Sequence, residues 1–141
     1  MIAKQLSIFL ENKSGRLTEV TNVLGEAGIN LSAMSIADNS DFGILRCVVN
    51  DPEKASKVLK EKGFAAKIND VIGLSVPNTS GSLALILRKL SEKDFFIEYL
   101  YSFANGDVAN VIIRPTDLEK CESVLQSLKD DLISDCDLYK L

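Results

Sequence analysis

The residues best suited to chemistry form the run Asn12-Lys13-Ser14-Gly15-Arg16-Leu17, with a near copy at Asn78-Thr79-Ser80-Gly81-Ser82-Leu83. Each run leads into apolar residues at helical spacing, so each sits at a helix N-terminus. The first backbone N–H groups of a helix lack partners and carry partial positive charge, which suits a carboxylate. Gly15 and Gly81 have no Cβ and let backbone approach a ligand closely. Asn12 and Asn78 each offer an acceptor and donors to an α-ammonium or α-carboxylate. Arg16 adds charge to the first run, and Ser82 adds none to the second. Leu17 and Leu83 are expected to anchor each helix on its sheet. A structural reading competes: Asn12 or Ser14 caps the helix, and Gly15 merely permits close packing.

Two other groups merit the same treatment. Asp38-Asn39-Ser40-Asp41 is a dense polar run, read first as turn chemistry. It also suits recognition of an ammonium or a side chain, and Phe42 and Gly43 follow it closely enough to wall a pocket. Tyr99, Tyr101 and Phe103 alternate along one strand, as interface packing or as a ligand wall. No metal is expected at Asp38 and Asp41, because no Ca²⁺-loop spacing surrounds them.

Composition removes several functions. The chain has 141 residues, 16 basic and 20 acidic side chains, a net charge of −4 and no histidine. Without histidine there is no Ser-His-Asp or Cys-His nucleophile, nor the usual zinc and haem ligand sets. The acidic balance argues against nucleic acid. No phosphate-binding glycine motif occurs, and no cofactor is expected. Cys47, Cys121 and Cys136 have no base beside them and read as reduced thiols. The start of the chain does not read as a signal peptide, and apolar runs such as Leu83–Leu87 are too short to span a membrane. A cytoplasmic location is therefore expected, with 46% apolar and 26% charged residues giving a globular balance.

The elements that must position these residues occur twice. Displaced by 66 positions, from Asn12 to Asn78, the sequence aligns with itself without a gap. Leu24 and Glu26 meet Leu90 and Glu92, and Asp51, Glu53 and Lys54 meet Asp117, Glu119 and Lys120. Leu6, Ile8 and Leu10 alternate as in a half-buried strand, and Leu17, Val20, Leu24 and Ala27 follow at helical spacing up to Gly28. Strands at 30–38 and 42–49, a helix opened by Asp51 and Pro52 and stopped by Gly63, and a strand at 64–68 complete the copy. The second copy repeats this with strands at 71–76, 95–103, 108–114 and near 132–138, and helices at 83–93 and 117–129. Domains are expected at 1–68 and 69–141. The order βαββαβ gives an α+β, ferredoxin-like sandwich in each copy. Paired edge strands predict a side-by-side eight-stranded antiparallel sheet with four helices on one face.

The segment from Phe9 to Leu17, followed by Gly25-Glu26-Ala27-Gly28-Ile29-Asn30-Leu31, resembles the ACT domain signature, and Ser35–Arg46 resembles the second hairpin of tandem ACT proteins. In the second copy Lys93-Asp94-Phe95-Phe96 replaces the Ala-Gly-Ile-Asn segment, and Ser14 and Ser80 stand where the family often has proline. The resemblance implies a regulatory module without catalysis of its own, binding a small molecule, most often an amino acid, at an interface between ACT copies. Ligand contacts are expected from Asn12, Ser14, Gly15, Arg16, Leu17, Asp38, Asp41 and Phe42, from Asn78, Ser80, Gly81, Ser82 and Leu83, and from Tyr99 and Tyr101. A homodimer and a regulated enzyme or transcription partner are the expected associations. The alternatives are an acylphosphatase-like enzyme on the same fold, using Arg16 and Asn12, and a scaffold that binds no ligand.

Overall fold

Alternation, caps and glycine stops produce the repeated order in a computed structural model, which describes residues 1–39, 41–129, 133–136 and 138–139. The elements are β1 (Ile2–Glu11), α1 (Arg16–Glu26), β2 (Leu31–Asn39), β3 (Phe42–Val49), α2 (Pro52–Glu61) and β4 (Ala65–Pro77). They continue with α3 (Ser82–Ser91), β5 (Ile97–Asn105), β6 (Val108–Pro115), α4 (Leu118–Gln126) and β7 (Ser134–Asp135). By contacts the chain divides into two compact units. One holds residues 4–69 with Leu138 and Tyr139; the other holds the described residues from 70 to 136 together with residues 1–3.

In the 4–69 unit the strand order is β2-β3-β1-β4. β3 lies antiparallel to both neighbours, with Ile8 opposite Leu45 and Ile36 opposite Leu45. Successive strand residues face opposite ways. Leu6, Ile8 and Leu10 of β1 therefore meet Leu45, Cys47 and Val49 of β3 on one face. There Val20 and Leu24 of α1, Ala55 and Leu59 of α2, and Phe64 and Ala66 close one apolar core. Both helices of this unit thus cover the same face, and among its described residues none on the opposite face is helical. Asp51 caps α2, its carboxylate accepting from the Lys54 amide at 3.0 Å, with Pro52 at the first turn.

The other unit repeats the plan as β4-β6-β5, with β7 beside β4. Its core gathers Ile72, Leu74 and Val76, Val111 and Ile113, Ile86 and Leu90 of α3, and Cys121 and Leu125 of α4. Asp117 caps α4 through the Lys120 amide at 3.0 Å, as its counterpart does in the first unit. Gly28 ends the α1 turn at φ 72°, and Asp94, displaced by 66 positions, holds the same left-handed backbone at φ 58°. Ile29 N donates to Leu24 O and Phe95 N to Leu90 O, so the stop is kept although the glycine is not.

Two expectations are corrected. The strands expected at 64–68 and 71–76 are one strand of 13 residues, β4, because Asn69 and Asp70 stay extended and make no turn. Among the described residues the eight expected strands become six long ones and a two-residue seventh. That seventh, β7, replaces the longer strand expected near 132–138, of which Leu132 and Asp137 lie outside the described residues.

Candidate functional site

The β1–α1 loop is built by backbone, and it is built twice. Asn12 N donates to Asp41 O at 3.0 Å, and Asn78 N to Asp107 O at 2.8 Å, tying each loop to the following hairpin turn. Arg16 N bonds Lys13 O as Ser82 N bonds Thr79 O, and Glu19 N bonds Gly15 O as Leu85 N bonds Gly81 O. Gly15 and Gly81 stand at the N-cap with φ 88° and 92°, and no side chain caps either helix. The capping reading of Asn12 and Ser14 is therefore set aside. A left-handed N-cap keeps those side chains off the first turn. The Arg16 and Ser82 amides are taken by Lys13 O and Thr79 O, and the next two amides of each helix, Leu17 and Thr18 in the first, are the ones offered to solvent or a ligand.

Beside the first loop lies a depression of about 130 Å³, lined by Leu10, Glu11, Asn12, Lys13, Arg16 and Leu17 together with Ile36, Asp38 and Gly43. The structure thus brings Asn12, Arg16, Leu17 and Asp38 together, as the sequence suggested. Leu17 does so from an exposed position rather than as a core anchor, being 39% accessible. Leu83, its counterpart, packs partly buried against its own core. Ser14 is exposed and is not among the lining residues, and Asp41 contributes its carbonyl to Asn12. Ser40 lies outside the described residues. Gly43 lines the depression, as expected of a pocket wall, whereas Leu10, Glu11, Lys13 and Ile36 were not legible as lining. The register that sets Leu10 and Asp38 opposite Gly43 places them there.

Charge at this loop is internally matched. Lys13 Nζ lies 2.7 Å from Glu11 Oε2, and Arg16 lies 2.8 Å from Glu19 and 3.7 Å from Glu11. The hydrogen bond and charge of Lys13, and then the charge of Arg16, hold the Glu11 carboxyl below the usual carboxylate range. The Arg16 guanidinium also lies over the Phe64 ring, 5.3 Å from its centroid.

The second loop has the same backbone but different side-chain use. Asn78 Nδ2 donates to Gly106 O at 3.0 Å, and the Thr79 and Ser82 hydroxyls bond each other at 2.8 Å. Ser80 and Gly81 are exposed. Tyr99 and Tyr101 belong to this unit, half-buried on one face of β5 opposite Arg114 and Ile112.

A second concavity, of about 400 Å³, lies on the helix-free face of the 4–69 sheet, among Phe9, Ala37, Asp38, Phe42, Ile44 and Arg46. Phe42 stands here rather than in the loop depression. Its signal was the alternation in β1 and β3, which sends Phe9, Ile44 and Arg46 away from the helices. Elsewhere, burial pushes the Cys47 thiol up to about 12, and burial with the nearby Asp117 charge pushes Cys121 to about 11. Among the described residues no group of three or more His, Cys, Asp or Glu side chains could hold a metal ion, and no helix is long and apolar enough to cross a membrane.

A family model described as an ACT domain pair matches residues 1–141. The crystal structure of protein BT0572 from Bacteroides thetaiotaomicron is 62% identical, with TM-score 0.93, covering 100% of this chain and 98% of that one. The ligand-free regulatory subunit of aspartate kinase from Thermus thermophilus is 17% identical, with TM-score 0.68, over 90% of this chain and 93% of that one. The regulatory subunit of aspartate kinase from Thermus flavus is 19% identical, with TM-score 0.58, over 91% and 97%. The last two likenesses show a shared fold. No curated protein matches the chain. With its loops repeated bond for bond and the family match running from end to end, the chain belongs to the ACT family as an ACT domain pair.

Proposed function

We propose that this ACT pair is a regulatory sensor that binds a free amino acid at the β1–α1 loop and has no catalysis of its own. The observation that carries this is the left-handed entry to α1, with no side-chain cap, beside a depression that Asn12 and Asp38 both line. The first-turn amides suit an α-carboxylate, and Asn12 and Asp38 suit an α-ammonium. The depression is small and open, so an edge strand of another ACT copy completes it in a homodimer. Ligand binding then favours one packing of the copies, by no more than its difference in affinity for the two states. Regulatory subunits of aspartate kinase share this fold, and we extend to this chain the role of controlling an enzyme in the cytoplasm.

A thermal-shift screen of the twenty amino acids at 10 mM tests the reading. A ligand at 100 times its Kd adds about 2.7 kcal/mol, which raises Tm by roughly 5–10 °C at this chain length. A shift with one amino acid, lost in Asn12→Ala, is the expected result. No shift with any of them would leave the scaffold role. The acylphosphatase reading needs a free arginine in the loop, whereas Arg16 is held by Glu19, Glu11 and the Phe64 ring. Acyl-phosphate turnover above background would restore it.

A further inference from the structure

The helix-free face of the 4–69 unit carries an exposed apolar surface that its own core does not need. Phe9 and Ile44 are opposite one another in register, and Ala37 is opposite Ile44 on the other side. Phe9 is 49% and Phe42 57% accessible. The other copy shows what this face looks like when the chain has a use for it in packing. Displaced by 66 positions, Phe9 becomes Ser75 and Ile44 becomes Asn110. Ser75 Oγ donates to Asn110 Oδ1 at 2.7 Å, Cys136 Sγ donates to the same oxygen at 3.2 Å, and both residues are buried. The two copies are thus inverted at matching positions. The polar pair is covered, whereas of the apolar pair Phe9 is exposed and Ile44 half-buried. Contiguous exposed apolar surface bounded by charged groups marks a binding site.

The lining identifies the chemistry of the occupant. Phe9, Ala37, Phe42 and Ile44 make an apolar floor in a concavity of about 400 Å³, which is in the size range of small-molecule sites. Arg46, half-buried on the same face two residues along β3 from Ile44, supplies a planar cation suited to a carboxylate. Asp38 lines the same concavity at the β2–β3 hairpin, opposite Gly43 and three residues along β3 from Arg46, and it repels a second anionic group there. We propose that this face binds an apolar monocarboxylate, an aromatic or branched acid whose carboxylate pairs with Arg46 and whose body lies on Phe9 and Ile44. The site goes beyond the loop reading and shares only Asp38 with the loop depression.

The test is a titration of the full chain with 3-phenylpropanoate, followed by amide NMR shifts and calorimetry. The expected shifts fall on Phe9, Ala37, Phe42, Ile44 and Arg46. Phenethylamine, without the carboxylate, and phenylsuccinate, with a second one, are expected to bind at least about tenfold more weakly. Phe9→Ser, which copies the residue at the matching position of the other unit, and Arg46→Gln each weaken binding about tenfold or more. Arg46→Lys keeps part of it, and Asn12→Ala leaves it unchanged. L-phenylalanine and phenylpyruvate then distinguish an amino acid from an oxo acid as the natural source of the carboxylate. Three results would overturn the proposal. One is no shift at 10 mM. Another is shifts confined to residues 12–17 and abolished by Asn12→Ala, which would leave the loop reading standing. The third is no binding together with a change of oligomeric state in Phe9→Ser, which would assign the face to a second copy.

Discussion

Gly15 contributes to the loop through its backbone. At φ 88° a Cβ meets no neighbouring atom, so the obstacle to substitution is conformational rather than steric crowding. A left-handed backbone costs an ordinary L-residue about 1–2 kcal/mol, and a β-branched one more. Gly15→Val is expected to lower stability by about 2 kcal/mol, to keep the fold, and to abolish amino-acid binding at the first loop. Calorimetry against the amino acid found by the thermal screen checks this, and unchanged affinity would move the site elsewhere. Cys47 belongs to the same scale. Burial holds its thiol up at about 12 in the folded chain, against about 8.5 when unfolded. Above pH 8.5 the unfolded chain therefore releases a proton that the folded chain keeps. Stability falls as pH rises from about 9 toward 12, and Cys47→Ala should make that fall shallower. Iodoacetamide at neutral pH should label the half-buried Cys136 well before Cys47 or Cys121.

At the scale of elements, the helices show how one chain solves the same problem twice with different residues. Asp51 and Asp117 cap α2 and α4 through equivalent bonds, each to an amide three residues on. Replacing either with alanine should cost about 1 kcal/mol, read from denaturant unfolding, and the two losses should match. The stop after α3 is less favourable than the one after α1, because Asp94 rather than glycine holds the left-handed position. Asp94→Gly is expected to stabilise the chain by about 0.5–1 kcal/mol, whereas Gly28→Asp should destabilise it. Equal stability in the Asp94→Gly chain would show that the aspartate side chain compensates locally.

At the scale of the whole molecule, the proposed homodimer has its best support in β2, which pairs with β3 and carries exposed Met34 and Ile36 beside the loop depression. Apolar side chains on an end strand of a unit invite another chain. Sedimentation at micromolar concentration should give twice the chain's mass, and Ile36→Lys should shift the species toward monomer and weaken amino-acid binding with it. A monomeric wild-type chain that still binds its amino acid would show that the site is complete within one chain.

The sequence by itself determined the repeat, the order of elements and the α+β class, because alternation, helical spacing and the turn residues at Gly28, Gly63 and Asn105-Gly106 are local signals that the tertiary context did not override. It also named the β1–α1 loop, since Asn-x-Ser-Gly-x-Leu recurs in register. Tertiary structure decided what local signals do not encode. Continuity of β4 through Asn69 and Asp70 depends on neighbouring strands supplying its hydrogen bonds, and two polar residues in a row read locally as a break. The roles of Asn12, Leu17 and Gly43 depended on loop conformation and cross-strand register. A left-handed glycine took the N-cap from Asn12, Leu17 turned out exposed, and Gly43 came opposite Leu10. Asn78 could not be told from Asn12 by sequence, yet its side chain is held by the Gly106 carbonyl of a turn 28 residues away. Which face of a strand meets helices and which stays open is likewise a property of the assembled layers, and it separates Phe9, Ile44 and Arg46 from the core residues they alternate with.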